Sequence, residues 1–262
     1  MKISASDIGW KSEYDEQMYN LMADKGIQGL EIAPTRIFPE DPYSHREQAA
    51  KWARALKADF GLAVSSMQSI WYGRNENIFV SKQEREALLE YTKKAMEFAE
   101  AVECKNLVFG CPRNRNVPQG ADVSVAEEFF GILGEYALEH NTVLAMEANP
   151  PIYNTNYCNN TLQAYELVKR VNSRGFKINL DVGTMIAQQE DETVVHSVMN
   201  YINHVHISEP GLVLPQEREL HEGIARVLSD NDYDGYISLE VKTQDNPENV
   251  KKALEYIANI FG

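Results

Sequence analysis

The stretch that decides the fold reads Asn203-His204-Val205-His206-Ile207-Ser208-Glu209. Val205 and Ile207 alternate with polar residues, which is the two-residue period of a β-strand with one apolar and one polar face. Helices cover the outside of a parallel barrel, so we expect the apolar face of this strand to point outward and its histidines to point inward. An imidazole at the inward-facing end of such a strand is well placed to hold a metal ion.

Three other predicted strands end on a carboxylate. They are Ala145-Met146-Glu147, Asn179-Leu180-Asp181 and Ser238-Leu239-Glu240. Glu147, Asp181, His206 and Glu240 are separated by 34, 25 and 34 residues, close to the roughly 30 residues of one βα unit. Each therefore falls at the carboxyl end of the next strand, on the rim where barrel active sites form. The same parity predicts an outward-facing apolar set of Leu144, Met146, Leu180, Ile207 and Leu239.

Strand and helix patterns alternate eight times along the 262 residues. We predict an α/β fold, a (β/α)8 TIM barrel forming a single domain over residues 1–262, because such barrels typically have roughly 250 residues. A doubly wound open sheet is the alternative, although it rarely has eight such regular units. The predicted strands are 2–6, 27–33, 62–68, 106–109, 142–147, 176–181, 203–209 and 236–241. The predicted helices are 13–24, 44–59, 82–102, 124–140, 160–175, 192–201, 217–229 and one that begins at 246.

Composition narrows the classes of function. With 44% hydrophobic residues, the composition is that of a globular domain. The net charge is −14, so the surface repels phosphate backbones and we expect no nucleic-acid partner. No apolar run approaches the roughly 18 residues of a membrane helix, and the N-terminus lacks the apolar core of a signal peptide. The three cysteines have no metal-ligand spacing and indicate reduced thiols. We therefore expect a cytoplasmic protein without membrane contact, for which a homo-oligomer is possible.

The four in-phase polar residues predict a metal centre. A single carboxylate at a strand end would be unremarkable, but three buried together without a cation are costly. Three carboxylates and one imidazole favour a hard or borderline divalent ion. Mn²⁺ is the ion we favour, with Mg²⁺, Co²⁺ and Zn²⁺ as alternatives. His204 lies one layer deeper and is expected to be a hydrogen-bonded core histidine.

The motifs around these residues resemble those of the xylose-isomerase-like barrels, and within them the sugar phosphate isomerase/epimerase group that includes ketose 3-epimerases. The resemblance rests on Ala-Met-Glu-Ala-Asn-Pro at Glu147, Leu-Asp-Val-Gly-Thr at Asp181, His-Val-His-Ile-Ser-Glu at His206 and Asp-Gly-Tyr-Ile-Ser-Leu-Glu at Glu240. It implies that these four residues hold the metal. It also implies that Glu147 and Glu240 exchange protons with a ketose through a cis-enediolate.

The resemblance weakens in the shell that would contact the sugar. Ketose epimerases usually place a histidine three residues after the aspartate and a glutamate six residues after the first ligand, where this chain has Thr184 and Tyr153. Glu31 and Gln68 end earlier strands, Arg113 and Arg115 follow the fourth strand, and aromatic residues such as Trp71 follow strand ends on the same rim. The expected substrate-binding set is Glu31, Gln68, Trp71, Arg113, Arg115, Tyr153 and Thr184.

The leading interpretation is a metal-dependent isomerase or epimerase acting on a small, unphosphorylated sugar or sugar derivative. Phosphate is disfavoured because the loop after the seventh strand carries Glu209 and Pro210 instead of a glycine-rich sequence. A lyase on the same scaffold, a dehydratase or a C-glycoside-cleaving enzyme, also begins with proton abstraction next to a carbonyl. Less favoured alternatives are an endonuclease-IV-like DNA-repair enzyme, which would want more histidines and a basic face, and a non-catalytic sugar-binding barrel.

Overall fold

Eight parallel strands close into one barrel in the computed structural model, which describes residues 1–262. Each strand pairs with its neighbours in sequence order, and the last pairs with the first. This is the TIM barrel that the sequence predicts. The strands are β1 Lys2–Ser6, β2 Gly29–Ile32, β3 Ala63–Met67, β4 Leu107–Phe109, β5 Leu144–Glu147, β6 Phe176–Asp181, β7 Ile202–Ile207 and β8 Tyr236–Leu239.

Ten α-helices follow or connect these strands, and none is long and apolar enough to cross a membrane. They are α1 Asp15–Asp24, α2 Pro34–Ile37, α3 Arg46–Phe60, α4 Lys82–Ala101, α5 Val125–Glu139, α6 Thr161–Val171, α7 Val182–Gln188, α8 Glu192–Val198, α9 Glu219–Asp230 and α10 Pro247–Phe261. The short helices α2 and α7 were not predicted. The helix predicted over 160–175 ends earlier, because Asn172 adopts a left-handed conformation at φ 51° that closes α6.

The apolar core lies between the barrel and the helices. It is one cluster of 61 buried residues. The predicted outward-facing set belongs to it, namely Leu144, Met146, Leu180, Ile207 and Leu239. The 3.6-residue stripes on the helices and the two-residue period of the strands therefore bury the same apolar layer.

The inside of the barrel is polar. The interior of a TIM barrel is usually filled by branched apolar side chains. Here the Ser4 and Ser65 hydroxyls lie 2.6 Å apart, and Gln68 donates to the hydroxyl of Ser6 over 2.9 Å. The Ser4–Ser65 contact joins β1 to β3, which are not neighbours in the sheet, so it crosses the interior. This polar axis leads upward to the histidines of β7.

Candidate metal centre and pocket

Four side chains meet at the carboxyl-terminal rim of the barrel. The candidate ligand atoms of Glu147, Asp181, His206 and Glu240 all lie within 4.8 Å of one another. Each residue lies at the carboxyl end of, or directly follows, one of four consecutive strands from β5 to β8. The structure thus brings together the set that the sequence singled out, and its role in holding a metal stays a prediction.

His206 presents one ring nitrogen to this cluster. Its Nδ1 lies 2.9 Å from Glu147 Oε1 and 3.3 Å from Glu240 Oε2. On the other side of the ring, Nε2 lies 2.8 Å from Glu31 Oε2. A donor Nε2–H leaves the Nδ1 lone pair for a ligand, which is the usual arrangement when a carboxylate supports a metal-binding imidazole.

Glu147 is fixed by two amides that share its side of the barrel. Asn179 donates to Oε1 and Asn149 donates to Oε2, each over 2.9 Å. Gly110 directly follows β4, the strand next to β5. A Cβ at that position would lie 2.7 Å from Glu147 Oε2. The carboxylate therefore has one well-supported orientation, and Gly110 leaves the space that this orientation needs.

Asp181 is fixed by the turn that follows β6. Its Oδ1 accepts the backbone N–H of Thr184 over 2.6 Å, so Asp181 is the N-cap of α7. Its Oδ2 accepts the hydroxyl of Ser208 over 2.5 Å. Because N-caps need a side-chain oxygen at this position, one residue both starts the helix and enters the cluster.

The electrostatics of the cluster fit a cation. Burial raises the pKa of Asp181 to about 6, with the nearby Glu147 adding to the shift, and burial likewise raises the pKa of Glu240 to about 7. Burial lowers the pKa of His206, but the carboxylates of Glu31 and Glu240 outweigh it and raise that pKa well above its ordinary value. Three carboxylates converge on one imidazole nitrogen, and a divalent ion among them would remove their repulsion.

A small pocket opens above the cluster. Its volume is about 190 Å³, and no lysine or arginine lines it. Asn149 was missed from sequence, although it shares the inward parity of Glu147 and could have been found by it. Leu212 was also missed, because its position depends on a loop conformation with φ 53° that no sequence motif predicts. The lining residues are Gln68, Ser69, Val108, Gly110, Cys111, Pro112, Glu147, Asn149, Tyr153, Asp181, Leu212 and Glu240.

The expected substrate-binding residues divide into two groups. Gln68 and Tyr153 line the pocket. Glu31 is completely buried beneath the pocket. The indole N–H of Trp71 donates to the hydroxyl of Thr92 on α4 over 2.7 Å. The hydroxyl of Thr184 donates to the carbonyl of Ala148 over 2.7 Å. These three are buried and do not line the pocket, and their role in substrate binding stays a prediction.

Neither predicted arginine enters the pocket. The Arg113 guanidinium donates to the Arg74 carbonyl over 3.0 Å and to Asn75 over 2.7 Å. Arg115 is completely buried, and its guanidinium donates to the Glu147 carbonyl over 2.8 Å and to Asn149 Oδ1 over 2.6 Å. Arg115 therefore supports two of the residues that line the pocket, and the expectation that it binds substrate directly stays a prediction.

Comparison with known proteins identifies the family. The model of the xylose isomerase-like TIM barrel family matches residues 19–260. The chain belongs to the xylose isomerase-like TIM barrel family. A comparison with curated protein sequences gave no significant match.

Solved structures of this fold superpose on nearly the whole chain. The D-psicose 3-epimerase from Clostridium cellulolyticum H10, solved with D-tagatose, has a TM-score of 0.80 at 13% identity, covering 100% of this chain and 99% of that one. The 3-keto-D-glucoside 4-epimerase from E. coli has a TM-score of 0.76 at 17% identity, and a family 2 AP endonuclease from Brucella melitensis has 0.75 at 20%. Each of these two comparisons covers 99% of both chains. At such identities the likeness is one of fold.

Proposed function

We propose that the protein is a metal-dependent isomerase or epimerase that moves a proton next to the carbonyl of a small, unphosphorylated sugar or sugar derivative. The observation that carries this proposal is the convergence of Glu147, Asp181, His206 and Glu240 within 4.8 Å at the base of a small pocket. The sugar epimerases among the structural neighbours support the same class of reaction.

The two glutamates have the properties of a proton-transfer pair. Glu147 is held by amide donors on both oxygens and faces the pocket in one orientation. Glu240 lines the same pocket, and its carboxylate lies 3.3 Å from His206 Nδ1 beside Glu147. A carboxylate at this place can act as a general acid or base. One glutamate removes the proton beside the carbonyl, and the other returns a proton to the opposite face or to the neighbouring carbon.

The metal that these residues would hold supplies Lewis-acid polarisation of the carbonyl when it is bound. The donor set of three carboxylates and one imidazole suits Mn²⁺, with Mg²⁺, Co²⁺ or Zn²⁺ as alternatives. Gln68 and Asn149 offer amides to sugar hydroxyls, and Val108, Tyr153 and Leu212 offer apolar surface to C–H faces. The pocket contains no lysine or arginine that would neutralise a phosphate.

Solvent exchange tests this function whatever the product is. Mn²⁺-loaded protein would be incubated in D₂O with free ketoses, keto-glycosides and their phosphorylated counterparts, and NMR would follow deuterium entering the substrate. We expect exchange on unphosphorylated compounds. A lyase would instead give an alkene or a split product, and a tenfold preference for phosphorylated compounds would reject the assigned substrate class.

Substitution of each glutamate tests the proton-transfer roles. Glu147→Gln and Glu240→Gln each remove one proton carrier while keeping side-chain size, so exchange should fall at least about 10²-fold. Glu47→Gln is the matched control, because that carboxylate is exposed on the outer surface of α3 and does not line the pocket. Wild-type rates in either pocket variant would contradict the roles.

A further inference from the structure

The carboxylate of Glu31 has no access to the pocket, yet it touches the centre of the site. Glu31 lies on β2, across the barrel from β7, and is completely buried. Its Oε2 is 2.8 Å from His206 Nε2 and 3.2 Å from His204 Nε2, and no lysine or arginine pairs with it. Burying a carboxylate is costly unless it is paired. The two histidines are the partners that stabilise the Glu31 carboxylate here.

We propose that Glu31 is a positioning residue that orients the imidazole of His206 toward the metal. This inference rests on the proposed function. The Glu31 carboxylate accepts the Nε2–H of His206, which fixes the rotation of the ring and directs Nδ1 at Glu147 and Glu240. An acceptor on one ring nitrogen also makes the other a better metal ligand.

A second contact supports this assignment of the two ring nitrogens. The side-chain amide of Asn179 lies 3.2 Å from His206 Nδ1, and the same amide donates to Glu147 Oε1. An N–H group directed at Nδ1 is compatible with a lone pair there. The 2.8 Å separation between Nε2 and Glu31 is an ordinary hydrogen-bond length, and Nε2 carries the proton of this bond because a carboxylate accepts. The contact of Nδ1 with Glu147, at 2.9 Å, is the one that a bound ion would replace.

His204 fills the space beside this pair. Its ring packs edge-on against that of His206, with centroids 5.3 Å apart and planes at 88°. Its Nε2 is buried and makes no well-aligned hydrogen bond, and one oxygen of Glu31 is also unpartnered. Glu31, His204 and His206 could therefore surround a second ion, since their ligand atoms also lie within 4.8 Å of one another. This group has one carboxylate, against three in the first cluster, which favours a proton over an ion at this place.

Two variants of Glu31 separate its hydrogen bond from its bulk. Glu31→Met keeps the length of the side chain and removes the acceptor, whereas Glu31→Gln keeps an acceptor oxygen. Calorimetric titration with Mn²⁺ should show about 10–100-fold weaker binding for Glu31→Met, the usual cost of losing the support of a ligating histidine. Glu31→Gln should recover most of the affinity. Circular dichroism would verify that both variants are folded.

Nitrogen-15 NMR of labelled histidine gives a readout that does not depend on metal affinity. We expect one slowly exchanging Nε2–H, absent in His206→Gln, that is present in the metal-free protein and persists after loading with diamagnetic Mg²⁺. Glu31→Met should lose its protection from exchange. Loss of the Nε2 proton on loading would show that the ion binds the wrong side of the ring and would overturn the proposal.

The remaining outcomes are also decisive. Two ions per chain in the wild type and one in Glu31→Met would assign Glu31 to a second metal site and reject the positioning role. Normal Mn²⁺ binding in the wild type with unchanged affinity in Glu31→Met would reject the positioning role alone. A wild-type protein that binds no divalent ion would reject the proposed function itself.

Discussion

Gly110 shows how much of the site depends on single side chains. This glycine is not in the left-handed region, so its freedom of rotation is not the reason for its presence. It leaves space for Glu147, whose Oε2 would lie 2.7 Å from an added Cβ. The atom that would have to move belongs to a carboxylate at the end of a flexible side chain, not to the backbone.

We expect Gly110→Ala to keep the fold and to lose the site. Displacing Glu147 by even about 1 Å would loosen the ligand set, so Mn²⁺ affinity measured by calorimetry should fall at least about tenfold. Gly131→Ala is the matched control, because a Cβ at this position in α5 would meet no atom within 4 Å. Equal Mn²⁺ affinity in the two variants would contradict the steric argument.

At the residue scale, the two-residue period of the strands predicted the four cluster residues but not where every neighbouring side chain points. Asn149 and Asn179 stand two positions from Glu147 and Asp181, so the same period could have placed them in the site. The arginines could not be placed in this way. Arg113 and Arg115 lie in a turn of 3-10 helix opened by Cys111 at φ 36°, where successive side chains diverge and no two-residue period applies.

Two loops meet over the pocket at the scale of elements. The loop after β5 and the loop after β7 are joined where the Tyr153 hydroxyl accepts the Gly211 N–H over 2.9 Å. The next residue, Leu212, is held at φ 53°, and its carbonyl accepts the Lys242 N–H over 2.8 Å. The apolar wall beside the cluster is therefore fixed from both sides.

Removing the Tyr153 hydroxyl should release this wall. In Tyr153→Phe the loss of one hydrogen bond, about 1 kcal/mol, corresponds to roughly fivefold faster hydrogen exchange across residues 209–214. Tyr72→Phe is the matched control, because Tyr72 is 71% exposed on another rim loop. Mass spectrometry of exchanged peptides gives the comparison, and identical exchange in the two variants would mean that the loop is held by other contacts.

The helix pair α9 and α10 should make stability depend on pH. His221 is buried with Nδ1 2.9 Å from the Tyr256 hydroxyl, and burial lowers its pKa from 6.5 to about 4. The folded protein therefore holds this histidine neutral where the unfolded chain would protonate it. Its contribution is complete above pH 6.5 and is lost as pH falls toward 4, on the order of 2–3 kcal/mol.

A neutral replacement tests this contribution. Urea unfolding between pH 4 and 7 should show a smaller loss of stability in acid for His221→Gln than for the wild type. His196→Gln, which alters an exposed histidine on α8, should follow the wild-type curve. Parallel curves for His221→Gln and the wild type would show that another group causes the loss of stability at acidic pH.

Sequence predicted elements better than their connections. The predicted helix starts at 82 and 160 agree with the structure, where Ser81 accepts the Glu84 N–H at the start of α4 and Asn160 accepts the Gln163 N–H at the start of α6. Helix α7 was missed because it has only seven residues before its stop at Gln189, too few for an apolar period to show. Its N-cap is Asp181, which also belongs to the cluster. The sequence pattern was interpreted as a metal ligand, and the helix start at the same residue was therefore overlooked.

At the scale of the whole molecule, four carboxylates are buried together at one end of the barrel. The chain carries −14 overall, and Glu31, Glu147, Asp181 and Glu240 are all buried within or below one rim. Without a cation the barrel stability must offset their mutual repulsion, whereas with one the same charges attract it. We therefore expect the protein to be more stable with an ion bound at this site than with the site empty.

Metal removal should therefore expose a trade-off between stability and function. Glu240→Gln removes one of the converging charges, so chelator-treated Glu240→Gln should melt at a higher temperature than the chelator-treated wild type at pH 8. Mn²⁺ at about 100 times its dissociation constant should stabilise the wild type by roughly 2.7 kcal/mol and the variant much less. Scanning calorimetry with and without chelator measures both effects, with Glu47→Gln as the control. If the variant gained no stability without metal, the repulsion would already be relieved by protons or water, and the cluster would not need an ion to stay folded.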